Sequence, residues 1–130
     1  MTYPLENPPA LTHLQRTQLH FFRCHMHDDI KQLGMLMQKI TNDFGVEGRI
    51  IINADDNMSG CVANRIVQEG RRQWQNIQDG ARNYFKDDKT MAELAIAHVR
   101  AEALGYSQMS FQTMQRKRNT EANGKKTAIA

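Results

Sequence analysis

The sequence predicts a mostly α-helical fold that contains one short strand. Apolar residues at steps of three and four run from Leu19 to Phe44, as they do on one face of a long helix. Three consecutive isoleucines, Ile50 to Ile52, are the one strong strand signal. Helical periodicity returns after them, and Gly105 interrupts it near the C-terminus. We therefore expect a long helix, a strand, a second long helix and a C-terminal pair of helices.

Length and composition exclude several classes of protein. The 130 residues are about one domain's worth of chain, and 40% hydrophobic residues suffice for a small core. Two cysteines cannot form a disulfide scaffold, and no run approaches the ~20 apolar residues of a membrane span. The first ten residues hold three prolines and no apolar stretch, unlike a signal peptide. We expect a cytoplasmic protein with reduced thiols and no membrane partner.

The N-terminal part divides into a disordered segment, residues 1–9, and a helical dimerisation region, residues 10–88. Prolines forbid a regular helix in the first segment. Thr12 is the predicted N-cap of the first helix, and Gly45 is its predicted C-cap. A helix of this length, about 45 Å, is too long to bury a heptad-like stripe against one small domain. The stripe therefore needs a second long helix or a partner chain.

The segment from Arg49 to Asn53 supports a homodimer. A lone strand leaves its backbone N–H and C=O groups unpaired. The simplest remedy is the same strand of a second copy, antiparallel about a two-fold axis. The predicted dimer interface combines the isoleucines with part of the helical stripe: Ile50, Ile51, Ile52, Leu33, Met37 and Ile40.

A second long helix is predicted from an N-cap at Ser59 to about Asp87. Gly70 lies in its apolar stripe, so we expect another helix to approach closely there. Gly70 and Gly80 each weaken a helix by about 1 kcal/mol relative to alanine, which leaves a break at either position open.

The next segment, residues 89–118, predicts two shorter helices. Thr90 and Glu93 form a capping-box pattern at the start of the first. Gly105 ends that helix, and Ser107 is the predicted N-cap of the next one.

The charge is concentrated at the C-terminus. Residues 115–130 carry five Lys or Arg against one Glu, whereas residues 1–114 carry 12 against 13 acidic residues. We assign residues 119–130 to a basic, disordered tail. A basic end of this kind favours nucleic acid as a partner.

Residues 97–116 resemble the helix-turn-helix motif of DNA-binding regulators. In that motif a small residue precedes a glycine by four positions, and Ala101 and Gly105 fill these two places. Arg100 stands where the pattern has an apolar residue. The other four apolar positions are filled by Leu104, Tyr106, Phe111 and Met114.

The resemblance implies that residues 107–118 form a recognition helix in the major groove of double-stranded DNA. Glutamine side chains there suit the N6/N7 edge of adenine. The implied base-reading residues are Ser107, Gln108, Met109, Gln112 and Thr113. The implied phosphate contacts are Arg116, Lys117, Arg118, Lys125 and Lys126.

The order of predicted elements is similar to that of the Mor/C family of phage middle-operon activators, over about residues 15–118. In that family a dimerisation half with a paired strand precedes a C-terminal helix-turn-helix. The likeness implies a homodimeric, sequence-specific transcriptional regulator. RNA polymerase or another regulator is the implied protein partner, and no cofactor is implied.

Two other functions stay open. In a ribbon-helix-helix protein, Arg49, Ile51 and Asn53 would face DNA, although Asp55 and Asp56 would repel its phosphates. In a helical assembly or adaptor protein, the amphipathic helices and the eight methionines would bind a protein partner, and the basic tail would read no bases.

Metal and catalytic sites are weaker alternatives. His20, Cys24 and His27 share one side of the first helix at ligand spacing, but no second ligand pair accompanies them. Residues 55–60 begin like a calcium loop, but Ile66 stands where a bidentate glutamate belongs. The sequence has no phosphate loop and no nucleophile motif. We therefore expect neither an enzyme nor a metal site.

Overall fold

A computed structural model describes residues 7–53 and 62–129, and within them every side chain except those of residues 109–111, 114 and 121–129. The helices are α1 (His13–His25), α2 (His27–Phe44), α3 (Asn64–Tyr84) and α4 (Lys89–Ile129), and a 3-10 turn covers Gly48–Ile51. No residue in these ranges lies in a strand, so the described fold is mostly α-helical, as predicted. None of these helices combines the length and the apolar character that crossing a membrane requires.

The predicted ends of the first long helix are confirmed. The Thr12 hydroxyl accepts the Gln15 N–H at 3.1 Å, and the Gln15 side chain accepts the Thr12 N–H at 2.9 Å. Gly45 ends α2 with a φ of 65°, and its N–H donates to the Thr41 carbonyl at 2.9 Å. Only Met26 separates α1 from α2, and it keeps helical hydrogen bonds on both sides. The expected single helix is therefore two helices joined at Met26.

The helix α4 runs parallel to α1 and α2. Arg23 of α1 forms an ion pair with Glu102, and farther along both helices the Tyr106 hydroxyl donates to Gln38 of α2 at 3.0 Å. The helix α3 runs antiparallel to them. Its Gly70 lies beside Ile51 of the 3-10 turn, which follows α2, and its Gly80 lies beside Met26, which precedes α2. The core fills the space between α3, α4 and the α1–α2 pair.

A single chain buries the apolar stripe for which the sequence predicts a dimer interface. Leu33 and Met37 are 1% exposed and Ile40 is 0% exposed, and all three belong to the core that α3 and α4 complete. Because α3 and α4 supply the second helical surface, this stripe no longer requires a partner chain. The homodimer itself stays a prediction.

The segment predicted as a strand is instead a 3-10 turn. The N–H groups of Ile52 and Asn53 both donate to the Arg49 carbonyl, at 3.0 and 2.9 Å. From α3, Arg71 donates to the carbonyls of Ile50 and Asn53, at 3.1 and 3.3 Å. The local turn and Arg71 therefore satisfy the backbone groups for which the sequence suggested a second strand.

The three isoleucines of this turn face the chain's own core. Ile51 is 1% exposed, Ile52 is 7% exposed and Ile50 is half-buried against the same core. Their prediction as a dimer ribbon is therefore wrong. The ribbon-helix-helix geometry is also excluded for these residues, because Ile51 is not available to face DNA.

The helix α3 passes through Gly70 and Gly80 without a break. The close approach predicted at Gly70 is present, but the Ile51 side chain makes it rather than another helix. A Cβ atom on Gly70 would lie 2.7 Å from Cδ1 of Ile51. The predicted N-cap Ser59 lies outside the described residues.

The turn of the predicted helix-turn-helix is not formed, because α4 continues through Gly105 to Ile129. Gly45 is the only described residue at positive φ, so Gly105 does not adopt the conformation that would end a helix. Next to it, Tyr106 hydrogen-bonds to α2, and Ser107 is buried inside α4 instead of capping a new helix. These contacts outweigh the ~1 kcal/mol that glycine costs a helix.

Two further boundaries of α4 differ from the sequence prediction. The carboxylate of Asp88 accepts the Met91 N–H at 3.0 Å, so Asp88 is the cap in place of Thr90. The backbone of residues 119–129, predicted to be disordered, continues the same helix.

We expect Gly105→Ala to raise the free energy of unfolding by about 1 kcal/mol, because alanine favours the helix interior. Gly45→Ala is the matched control and should lower it by about 1–2 kcal/mol, since Gly45 has a φ of 65°. Urea unfolding monitored by circular dichroism measures both. A loss of stability in Gly105→Ala similar to that in Gly45→Ala would instead indicate a turn at Gly105.

Candidate functional site

The C-terminal half of α4 has one side that packs on the body of the protein. Ser107 is 1% exposed, and a Cβ atom on Gly48 would lie 2.7 Å from its Oγ. A Cβ atom on Gly45 would lie 3.3 Å from a terminal nitrogen of Arg118. Ser107 and Arg118 are eleven residues apart, about three helical turns, so they lie on the same side. The Arg118 cation thereby lies near the negative, C-terminal end of α2.

The opposite side of α4 carries polar and basic side chains, and we call it the outer face: Gln112, Thr113, Arg116 and Lys117. At 100° per residue these four positions fall within an arc of about 140°. Thr113, Arg116 and Lys117 are exposed, and Gln112 is half-buried. The outer face therefore brings hydrogen-bonding and cationic groups together on one side of α4.

The structure divides the predicted DNA-contacting residues into separate groups. Ser107 is wrong as a base-reading residue, because it is buried against the body. Gln108 is half-buried, and Arg118, although exposed, lies near the end of α2. The side chains of Met109, Lys125 and Lys126 lie outside the description. What remains together on one surface is the outer face.

The outer face leads into a segment of α4 that extends beyond α2. The 41 residues of α4 span about 62 Å, whereas the 18 residues of α2 span about 27 Å. Because Arg118 is level with the end of α2, the residues that follow it continue past that end. Residues 115–130 contain five of the chain's 17 Lys and Arg residues and one acidic residue. This segment is therefore the most basic part of the molecule.

A second surface, which the sequence analysis missed, is a groove of about 650 Å³ between α2 and α4. Met35 is 63% exposed and Tyr106 is 50% exposed along it. Its other apolar lining residues are Ile30, Leu33, Val99 and Ala103, and Lys31 and Glu102 stand among its polar ones. A Cβ atom on Gly34, also in the lining, would meet no atom within 4 Å. In the sequence, the one signal for this groove is Gly34, a glycine in the interior of a predicted helix.

The histidine and cysteine residues of α1 and His27, the first residue of α2, do not assemble into a larger cluster. Nε2 of His20 lies 3.7 Å from Sγ of the exposed Cys24. Nδ1 of His27 lies 3.6 Å from Oδ1 of Asp28 instead. Within residues 7–53 and 62–129, no group of three or more His, Cys, Asp or Glu is arranged to hold a metal ion.

The outer face and the groove are thus two surfaces of the described chain with chemistry suited to a ligand. Both depend on α4: the groove is lined by its residues 99–106, and the outer face lies in its C-terminal half. Neither a scan of family models nor searches of curated proteins and solved structures finds a match to this chain.

Proposed function

We propose that the chain binds double-stranded DNA through the outer face of α4. The observation that supports this is the placement of Gln112, Thr113, Arg116 and Lys117 on one side of an unbroken helix, opposite the side that packs on α2. The major groove, about 12 Å wide, admits a helix of this kind. Cations beside hydrogen-bonding groups are the combination that contacts phosphates and base edges together.

Each residue of the outer face has a distinct role in this proposal. Arg116 and Lys117 contact phosphates and supply most of the affinity. Gln112 pairs with the N6/N7 edge of adenine, and Thr113 contacts a thymine methyl group or a phosphate. Arg118 stays near the end of α2 and positions the helix without contacting DNA.

The proposal keeps the recognition segment predicted from the sequence and replaces its geometry. A continuous helix can enter the major groove of DNA without a turn at Gly105 and without an exposed Ser107. As a sequence-specific binder, the protein would act as a transcriptional regulator. A homodimer would bring two such helices to half-sites about one turn of DNA apart.

Arg116→Ala and Lys117→Ala are each expected to weaken binding to every duplex tested. Each substitution removes one phosphate contact, so the slope of log K against log salt should become shallower by about 1. Fluorescence anisotropy of a labelled random duplex, titrated at several salt concentrations, measures this slope. Gln112→Ala should leave the slope unchanged and relax the preference for adenine in a pool of selected sites.

Arg118→Ala is the matched control, because it removes the same charge from the opposite side of α4. Its salt slope should stay close to that of the unmodified chain. Equal effects of Arg116→Ala and Arg118→Ala would show that the outer face is not the contact surface. No binding at about 50 mM salt, where phosphate contacts are strong, would contradict DNA binding and favour the adaptor function.

A further inference from the structure

The groove continues a seam between α4 and the α1–α2 pair that the chain itself already fills in part. The ring nitrogen Nε2 of His98 donates to the Pro9 carbonyl at 2.7 Å. Pro8 lies with Ala101 and Glu102 around the next pocket along α4. From Pro9 back to Pro8, the chain therefore advances along α4 in the direction of its C-terminus.

The groove between α2 and α4 begins next to the pocket that Pro8 lines. Glu102 lines both the pocket beside Pro8 and the groove between α2 and α4. No residue of α3 lines either of these pockets, so both open on the side of the seam that α3 leaves uncovered. The described chain, followed from Pro9 back to Pro8, thus leads along the seam toward the groove.

We propose that residues 1–6 of this chain bind in the groove. Six extended residues reach about 20 Å, whereas the α4 side of the groove from Glu102 to Tyr106 spans about 6 Å. Tyr3, Pro4 and Leu5 supply apolar side chains, and proline favours an extended backbone. Extended proline-containing segments bind in grooves lined by aromatic side chains, and Tyr106 lines this one.

Charge and space fit the same occupant. Lys31, which is exposed at the groove, is suited to pair with the carboxylate of Glu6. The absence of any atom within 4 Å of a Cβ on Gly34 leaves room for the backbone of a bound segment. The exposed Met35 would be covered by apolar side chains of that segment, which removes a large apolar surface from water.

The proposal is tested on the full-length chain labelled with ¹³C at the methionine methyl groups. In the double variant Tyr3→Ser, Leu5→Ser, the Met35 resonance should move, since the segment that covers it has lost its apolar side chains. The resonance of Met91, which is 1% exposed in the core, is the internal control and should stay in place. Met35→Leu assigns the signal. An unchanged Met35 resonance would overturn the proposal.

A spin label identifies which chain supplies the segment. Cysteine is introduced as Leu5→Cys in a background of Cys24→Ser and Cys61→Ser, and the nitroxide is attached to it. Within one chain the label should abolish the Met35 signal and leave that of Met91. In a mixture of spin-labelled, unenriched chain and ¹³C-labelled chain without the nitroxide, the Met35 signal should persist. Loss of the signal in the mixture would show that a second copy supplies the segment, and persistence in both samples would show an empty groove; either result overturns the proposal.

Discussion

Ile51→Ala is expected to lower the free energy of unfolding by about 3 kcal/mol. Ile51 is 1% exposed, and its side chain fills the space above Gly70 on α3. Alanine there removes buried methyl groups and leaves a cavity that the 3-10 turn cannot close, because Arg71 holds the carbonyls of Ile50 and Asn53. The shift of the urea midpoint, at an unchanged dependence on urea concentration, measures the loss.

Ile50→Ala is the matched control, because it removes the same atoms from a half-buried neighbour and should cost about 1 kcal/mol. Both costs should be independent of protein concentration, as expected for a core within one chain. If the isoleucines formed a dimer ribbon, the size of these two losses would depend on protein concentration. Losses of equal size in the two variants would contradict the burial of Ile51.

Gly48→Ala is also expected to be strongly destabilising, by about 2–3 kcal/mol. A Cβ atom at this position would lie 2.8 Å from Cβ of Met37, 3.2 Å from its Cα and 2.7 Å from Oγ of Ser107. The backbone of α2 cannot yield without moving the helix, so α2 and α4 must separate. Thermal unfolding measured by circular dichroism should show a clear drop in the midpoint.

Gly34→Ala is the opposite control on the same helix as Met37. A Cβ atom there meets no atom of the described chain within 4 Å. Helix propensity favours alanine by about 1 kcal/mol, and contact with bound residues 1–6 would offset part of this gain, so the substitution should not destabilise the fold as Gly48→Ala does. Ser107→Ala combined with Gly48→Ala should recover part of the loss, because it removes the closest oxygen. A neutral Gly48→Ala would contradict the close packing of the 3-10 turn on α2.

Local signals in the sequence were sufficient for the helix ends that they control. Thr12 with Gln15, and Gly45 with its positive φ, cap the first helical segment as predicted, because these groups act on backbone within a few residues. The helical class follows from periodicity. A close approach at Gly70 follows from the position of a glycine in an apolar stripe, but the Ile51 side chain makes it and not the helix that was predicted.

The errors arise where distant residues decide the local structure. Ile50 to Ile52 suit a strand by composition, but the Arg71 side chain bonds to Ile50 across 21 positions and stabilises a turn. Gly105 permits a turn and does not impose one. The contact of Tyr106 with α2 and that of Ser107 with the 3-10 turn at Gly48 favour a continuous helix instead. No pattern within the segment reports these contacts.

The candidate site was predicted in part for the same reason. Gln112, Thr113, Arg116 and Lys117 stand out by residue type, and helical spacing alone places them on one face. Ser107 and Arg118 lie on the other side, and only the position of α2 shows this. The groove needed the parallel packing of α2 and α4, of which Gly34 was the single hint.

Because α4 is so long, the free energy needed to open it locally differs between its two ends. Up to Ser107 its backbone hydrogen bonds are held by buried side chains, so breaking them requires opening the whole core. After Arg118 the helix depends on intrinsic propensity, and short isolated helices are marginal in water. When basic residues in such a segment contact phosphates, the contacts can offset the conformational entropy that the segment loses on becoming helical. Folding of the segment and binding are then one coupled equilibrium. Ligand charge would then govern how far the helix extends from the body.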